Sequence, residues 1–140
     1  MAVPPLDKHR REMILTVVQE VVPAMQAVYL FGSQAGGGVH RESDLDIAIL
    51  AAAPLPAEIR RRVQEDLSVE LRSDVDVVDL RSASTVMRTQ VVTKGVVLFE
   101  REPTLRHQFE MQTLSAYALL NEERAKILEH VHRRGRIYGR

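Results

Sequence analysis

No cysteine occurs in the 140 residues, so the chain builds no disulfide framework, presents no thiolate nucleophile and binds no zinc through sulfur. That absence suits a reducing compartment. Nor do eighteen apolar residues follow one another anywhere, and the first thirty residues hold no continuous apolar run with a small-residue cleavage site. The expectation is a soluble cytoplasmic protein with no membrane partner. An excess of either charge is also lacking, because 19 basic side chains offset 19 acidic ones. Bulk electrostatics therefore supplies no general attraction to nucleic acid or anionic lipid, and any phosphate partner has to be recognised locally. The one asymmetry is the end, "RRGRIYGR", where Arg133, Arg134, Arg136 and Arg140 have no acidic neighbour. It reads as a solvated terminus or as a partner contact.

Internal repeats, low-complexity tracts and long linkers are missing too, and the length suits a single domain over 1–140 that hides roughly 68 to 70% of its unfolded surface. What is present alternates in period. Met13, Ile14, Val17, Val18, Val21 and Val22 form a helical stripe that Pro23 ends. "AVYLFG" and "LDIAILA" are short apolar runs that read as strands, the first stopped by Gly32 and the second by "PLP". Ile59, Val63, Leu67 and Leu71 mark a second helix, and "VDVVDL" a third strand. Ser82 or Ser84 caps a short helix through Val86, Met87, Val91 and Val92 that Gly95 closes, and "VVLFE" is a fourth strand. From Pro103 on, the segment 104–140 is expected to be helical, with Leu114, Tyr117, Ala118, Ala125, Leu128 and Val131 on one side. The order α-β-β-α-β-α-β-α predicts an α/β or α+β fold, a small mixed sheet flanked by helices.

Two aspartates interrupt the second strand where apolar residues are expected. Alternation puts Asp44 and Asp46 on one face and Leu45, Ile47 and Ile49 on the other, with the two Cα atoms roughly 7 Å apart. Adjacent anions in a partly dry place need protons, basic partners or a cation. Oxygen-only ligands with positions left for water and phosphate describe Mg²⁺ better than Zn²⁺. In "SDVDVVDL" Asp76 is the best third carboxylate, since it lies within the strand while Asp74 precedes it and Asp79 faces the other way. Three carboxylates suffice for two metals about 3.5 to 4 Å apart, as phosphoryl transfer uses. Upstream, Gly32 and Ser33 end a strand, and free N–H groups with a hydroxyl there suit phosphate oxygens. A side chain at Gly32 is expected to block nucleotide approach with little damage to the fold. No Gly-Lys-Ser/Thr follows, Gly36 to Gly38 lack dinucleotide-binding spacing, and "DLDIAILAAAPL" lacks the glycine and glutamate of an EF-hand. Taken separately, a Gly-Ser turn is ordinarily a turn and a D-x-D a surface pair.

Joined, they carry more. Ten residues, Gln34 to Ser43, separate Gly32-Ser33 from Asp44-Leu45-Asp46, and this G-S-x10-D-x-D pattern resembles the signature of the DNA polymerase β-like nucleotidyltransferase superfamily. The resemblance implies that Gly32 and Ser33 hold a nucleotide triphosphate, that Asp44 and Asp46 bind Mg²⁺, and that Asp76 completes the metal site and helps activate an acceptor hydroxyl. "SDVDVVDLRSAS" and "LSAYALLNEERAKIL" resemble minimal nucleotidyltransferases that are antitoxins of HEPN-domain RNase toxins. That implies AMP transfer from ATP to a tyrosine hydroxyl of the toxin, within a hetero-oligomer. Around this core, Ser43 either orients a carboxylate or simply opens the strand, and His40 and Arg41 either touch phosphates or solvate a loop. His130 and His132, two apart on a helix, point away from each other and make a poor metal site. Tyr29 and Tyr117 read as core or interface residues.

Two other functions compete: a nucleotidyltransferase for a small hydroxylated molecule, and a non-catalytic antitoxin that masks its partner. Only about forty residues follow the fourth strand, which leaves little for a separate acceptor domain. A masking protein would bury three anions without use, at a cost of several kcal/mol.

Overall fold

The computed structural model describes residues 6–32 and 45–138. Among these the elements are α1 Lys8–Val21, β1 Met25–Phe31, β2 Leu45–Ala51, α2 Ala57–Leu71, β3 Val75–Asp79, α3 Thr85–Lys94, β4 Val96–Glu100 and α4 Pro103–Tyr138. The order is the one expected from the sequence.

Local chemistry sets the boundaries. Asp7 caps α1, its carboxylate accepting a hydrogen bond from the Arg10 N–H at 2.8 Å, and the buried face of that helix is Ile14, Val17, Val18 and Val21. Of the two candidate caps for α3, Ser84 does the work: its hydroxyl accepts from the Met87 N–H at 3.1 Å. α2 stops at Leu71 because Arg72 turns into the left-handed region, φ 53°.

The four strands form one mixed sheet in the order β3-β2-β1-β4. β1 pairs antiparallel with both β2 and β4, whereas β2 and β3 run parallel, so α2 must cross over between them. β2 is buried along its whole length, as its continuous apolar run suggests for a central strand. Alternation divides the interior in two. Val28, Leu30, Leu45, Ile47, Ile49, Val75 and Val77 face α1 and α2, which bring Ile14, Val18, Val63 and Leu67. Ala27, Tyr29, Ala48 and Leu50 face the other way, against Val91 of α3 and Phe109 of α4.

One end of this sheet collects the chemistry. β1 finishes there at Phe31, β2 and β3 begin there, α3 ends there and β4 starts there. α4 begins at the opposite end, where Arg101 donates to the Met25 and Gln26 carbonyls, and has reached mid-sheet at Glu110 beside Tyr29. From Asn121 to Arg134 every residue is exposed.

Candidate active site

Asp46 is the second residue of β2 and lies opposite two neighbours, Phe31 of β1 and Asp76 of β3. Directly paired residues of adjacent strands share a face, so the Asp46 and Asp76 side chains stand beside each other on strands about 4.8 Å apart. The face is the one that Ala48 and Leu50 share farther along β2, toward α3 and α4. Asp46 is 8% exposed and Asp76 is open to solvent. One carboxylate is thus held in the wall of the site while its neighbour reaches water.

Gly32, immediately after β1, has φ 77°, a backbone conformation that costs a residue with a side chain about 1–2 kcal/mol. It is also pressed against Asp46. A Cβ built on Gly32 would lie 2.9 Å from the Asp46 Cγ and closer still to its Oδ2. The expectation that a side chain at position 32 would leave the fold little changed therefore fails, because the first atom added meets the carboxylate itself. Gly32, having no side chain, leaves room for Asp46 to stand where it does.

Ser33, Arg41, Ser43 and Asp44 lie outside the described residues, as does His40. The structure brings together Gly32, Asp46 and Asp76 of the expected set. It separates Asp79, which is 6% exposed on the opposite face and accepts hydrogen bonds from the Leu55 N–H (2.9 Å), the Arg81 N–H (3.1 Å) and the Ser82 hydroxyl (2.7 Å). Those donors make it the anchor of the loops at the far end of the sheet. His130 and His132 are exposed on α4.

Two adjacent carboxylates beside a glycine with no side chain to obstruct approach are a fitting donor set for a hard divalent cation with open positions. Among the described residues no three His, Asp or Glu side chains gather into such a group.

A second polar cluster lies on the same face and was not legible as a unit. The buried Tyr29 hydroxyl donates to Glu110 Oε2 at 2.8 Å, and that oxygen also accepts from Arg106 Nη1 at 2.7 Å, while Arg106 Nε reaches Glu100. Burial, then the Glu110 carboxylate, pushes the Tyr29 phenol well above its usual range; hydrogen bonding to Glu100, reinforced by Glu110, raises Arg106 against its own burial. Nearby, the Phe109 ring has the Arg81 and Arg88 guanidiniums each 5.5 Å from its centroid. Both arginines are held by backbone carbonyls, Arg81 by Ala51 and Arg88 by Leu80 and Arg81. These contacts fasten the first turns of α4 to β1 through Tyr29, to β4 through Glu100 and to Arg81 and Arg88.

The family model described as polymerase beta, nucleotidyltransferase matches residues 12–104. A protein adenylyltransferase MntA of Shewanella oneidensis is 43% identical over 118 residues, 84% of each chain. A probable protein adenylyltransferase MntA of Haemophilus influenzae is 34% identical over 94 residues, 66% of this chain and 82% of that protein. Among solved structures, a toxin-antitoxin crystal structure with AMP-PNP has a TM-score of 0.76 at 42% identity, covering 87% of this chain and 98% of the other. A complex of tri-AMPylated Shewanella oneidensis HEPN toxin with MNT antitoxin matches equally well, TM-score 0.76 at 37% identity over 91% of this chain and 99% of that one.

Proposed function

The chain belongs to the polymerase beta nucleotidyltransferase family, and from that premise we propose that it is an antitoxin that transfers AMP from ATP to a tyrosine hydroxyl of a cognate HEPN RNase toxin, silencing it in the cytoplasm. The observation that carries the reading is the juxtaposition of Asp46 with Asp76 and with the bare backbone of Gly32. It suits a phosphate chain lying against the end of the sheet.

In this reading Gly32, with Ser33 beside it, receives the triphosphate, and Arg41 and Ser43 assist from the same segment. Asp44, Asp46 and Asp76 hold Mg²⁺, which supplies charge neutralisation for the phosphate oxygens. Asp76, the solvent-facing carboxylate, accepts the phenolic proton of the acceptor. The tyrosine oxygen forms a bond to the α-phosphorus as the α–β anhydride P–O bond breaks, and its electron pair leaves on pyrophosphate. Asp46, packed against Gly32, keeps its place through the exchange.

Residues 1–140 act as a single minimal nucleotidyltransferase domain, and the segment from 104 serves as its docking arm. Leu119, Ile127, Leu128 and Val131 are large apolar residues left exposed on the second half of α4. A helical partner seated there would bring its tyrosine to the end of the sheet. Transfer of label from α-labelled ATP to a cognate HEPN toxin tests the reading, with Mg²⁺ or Mn²⁺ required. Labelling undiminished in excess chelator refutes the metal-dependent form, and no labelling under any condition refutes the transferase.

A further inference from the structure

We propose that Gln64 is a positioning residue for the transfer: with Ser68 and Arg60 it holds the outer edge of β3 and thereby sets where Asp76 stands beside Asp46. The inference rests on the nucleotidyltransferase reading, in which Asp76 helps hold the metal and accepts the phenolic proton, and adds the group that keeps Asp76 in place.

β3 is an edge strand of five residues, with β2 on one side and no strand on the other among the described residues. Its backbone groups point alternately to the two sides. On the inner side the Leu45 N–H donates to the Asp74 carbonyl at 3.1 Å and the Leu80 N–H to the Ile49 carbonyl at 3.0 Å. Val75 and Val77, which flank Asp76, turn their polar groups outward, and α2 supplies the partners. The Val75 N–H donates to Ser68 Oγ at 3.2 Å, the Val77 N–H donates to Gln64 Oε1 at 3.0 Å, and Arg60 Nη1 donates to the Val77 carbonyl at 3.4 Å. Positions 60, 64 and 68 lie on one stripe of the helix. Four residues of helix rise about 6 Å and two residues of strand about 6.6 Å, so the stripe keeps step with successive outward groups. α2 stands in for a fifth strand.

This arrangement bears on the site because its two carboxylates are held differently. Asp46 is 8% exposed on a central strand that is buried throughout. The Asp76 carboxylate is exposed, so its place follows from the backbone that carries it. Burial of the Val75 and Val77 side chains, 4% and 2% exposed, presses β3 against the helical layer but has no direction along the sheet. Hydrogen bonds supply the direction. The Val77 N–H belongs to the peptide group that Asp76 begins, so Gln64 grips the backbone next to the carboxylate and Ser68 grips it one residue farther back.

Bonds that only stabilise the fold would leave the rate of each folded molecule unchanged. Gln64→Met keeps the length and loses the acceptor, so kcat for AMP transfer to the HEPN toxin should fall about tenfold, less than the hundredfold of a full 1 Å misplacement. KM for ATP and for the toxin should stay within about twofold, since the residue acts through Asp76 rather than on either substrate. Gln64→Glu keeps an oxygen for the Val77 N–H and should hold kcat within about twofold of the parent, while Ser68→Ala should lower it about threefold. Toxin mass against time gives the rates, and thermal unfolding gives the folded fraction to which they are referred. Folded Gln64→Met with the parent's kcat, a change confined to KM, or an equal loss in Gln64→Glu overturns the proposal and leaves the transferase reading intact. If Gln64→Met does not fold, Ser68→Ala decides in its place, and an unchanged kcat there overturns the proposal. A parent protein that transfers no AMP would instead overturn both.

Discussion

Replacing Gly32 with Ala adds one methyl group and should abolish most of the activity. The new Cβ would stand 2.9 Å from the Asp46 Cγ, closer than carbon atoms pack, so the Asp46 carboxylate has to swing aside. The backbone adds its own penalty, since φ 77° is strained for alanine by about 1–2 kcal/mol. Together these predict a folded protein whose Tm falls by roughly 3 to 8 °C. Displacing a ligand-holding carboxylate by about 1 Å is worth on the order of a hundredfold in rate. Thermal unfolding measures the first effect, and intact mass of the toxin after timed incubation with ATP measures the second. Calorimetry with AMP-PNP shows whether the nucleotide still binds. Gly32→Ala with the parent's rate and affinity would mean that neither the contact with Asp46 nor the open approach matters, and the site would have to be sought elsewhere.

Other perturbations are equally direct. Tyr29→Phe removes a buried hydroxyl bonded to Glu110 and should cost about 1–2 kcal/mol in denaturant unfolding, leaving the fold intact. Because the folded state holds the Tyr29 proton more tightly than the unfolded chain does, stability should fall as pH rises above about 10, and this fall should be smaller in Tyr29→Phe. Phe109→Ala empties the space between Arg81 and Arg88 and should destabilise by about 3–5 kcal/mol, the largest loss among these variants. Truncation after Leu120 removes a stretch of α4 in which every residue from Asn121 to Arg134 is exposed, so stability and AMP-PNP binding should change little while association with the toxin, measured by calorimetry, is lost.

Periodicity sufficed for the elements because most of them solve a two-sided packing problem in which one residue in two, or one in three or four, meets the core. Ile14, Val17, Val18 and Val21 behave as their spacing says. α4 does not. Leu128 and Val131 have the spacing of a buried stripe, yet among the described residues nothing covers them, and they are 68% and 58% exposed. Nothing local distinguishes an apolar face meant for the protein's own core from one offered to another molecule. Val86 and Met87, two of the apolar residues that marked α3, are partly open, and Val91 is the residue of that helix that is buried. At the site, alternation alone put Asp46 and Asp76 on defined faces of their strands, but their pairing needed the parallel register of β2 and β3. The contact of Gly32 with Asp46 joins the end of β1 to β2, and Tyr29 meets Glu110 across 81 positions. No spacing rule reports contacts of that kind.

The measurement closest to the central claim is the mass of the HEPN toxin, together with its RNase activity, after incubation with ATP and either the parent chain or the Asp44→Asn, Asp46→Asn variant. The substitutions keep side-chain shape and remove the charges that would hold the metal, and with them transition-state stabilisation of several kcal/mol, or several orders of magnitude in rate. The parent should add whole AMP units to the toxin and silence it, whereas the variant should bind the toxin, add nothing and leave the RNase active. Full neutralisation by the variant at equal abundance, with the toxin's mass unchanged, would contradict the account and identify a protein that masks its partner by contact.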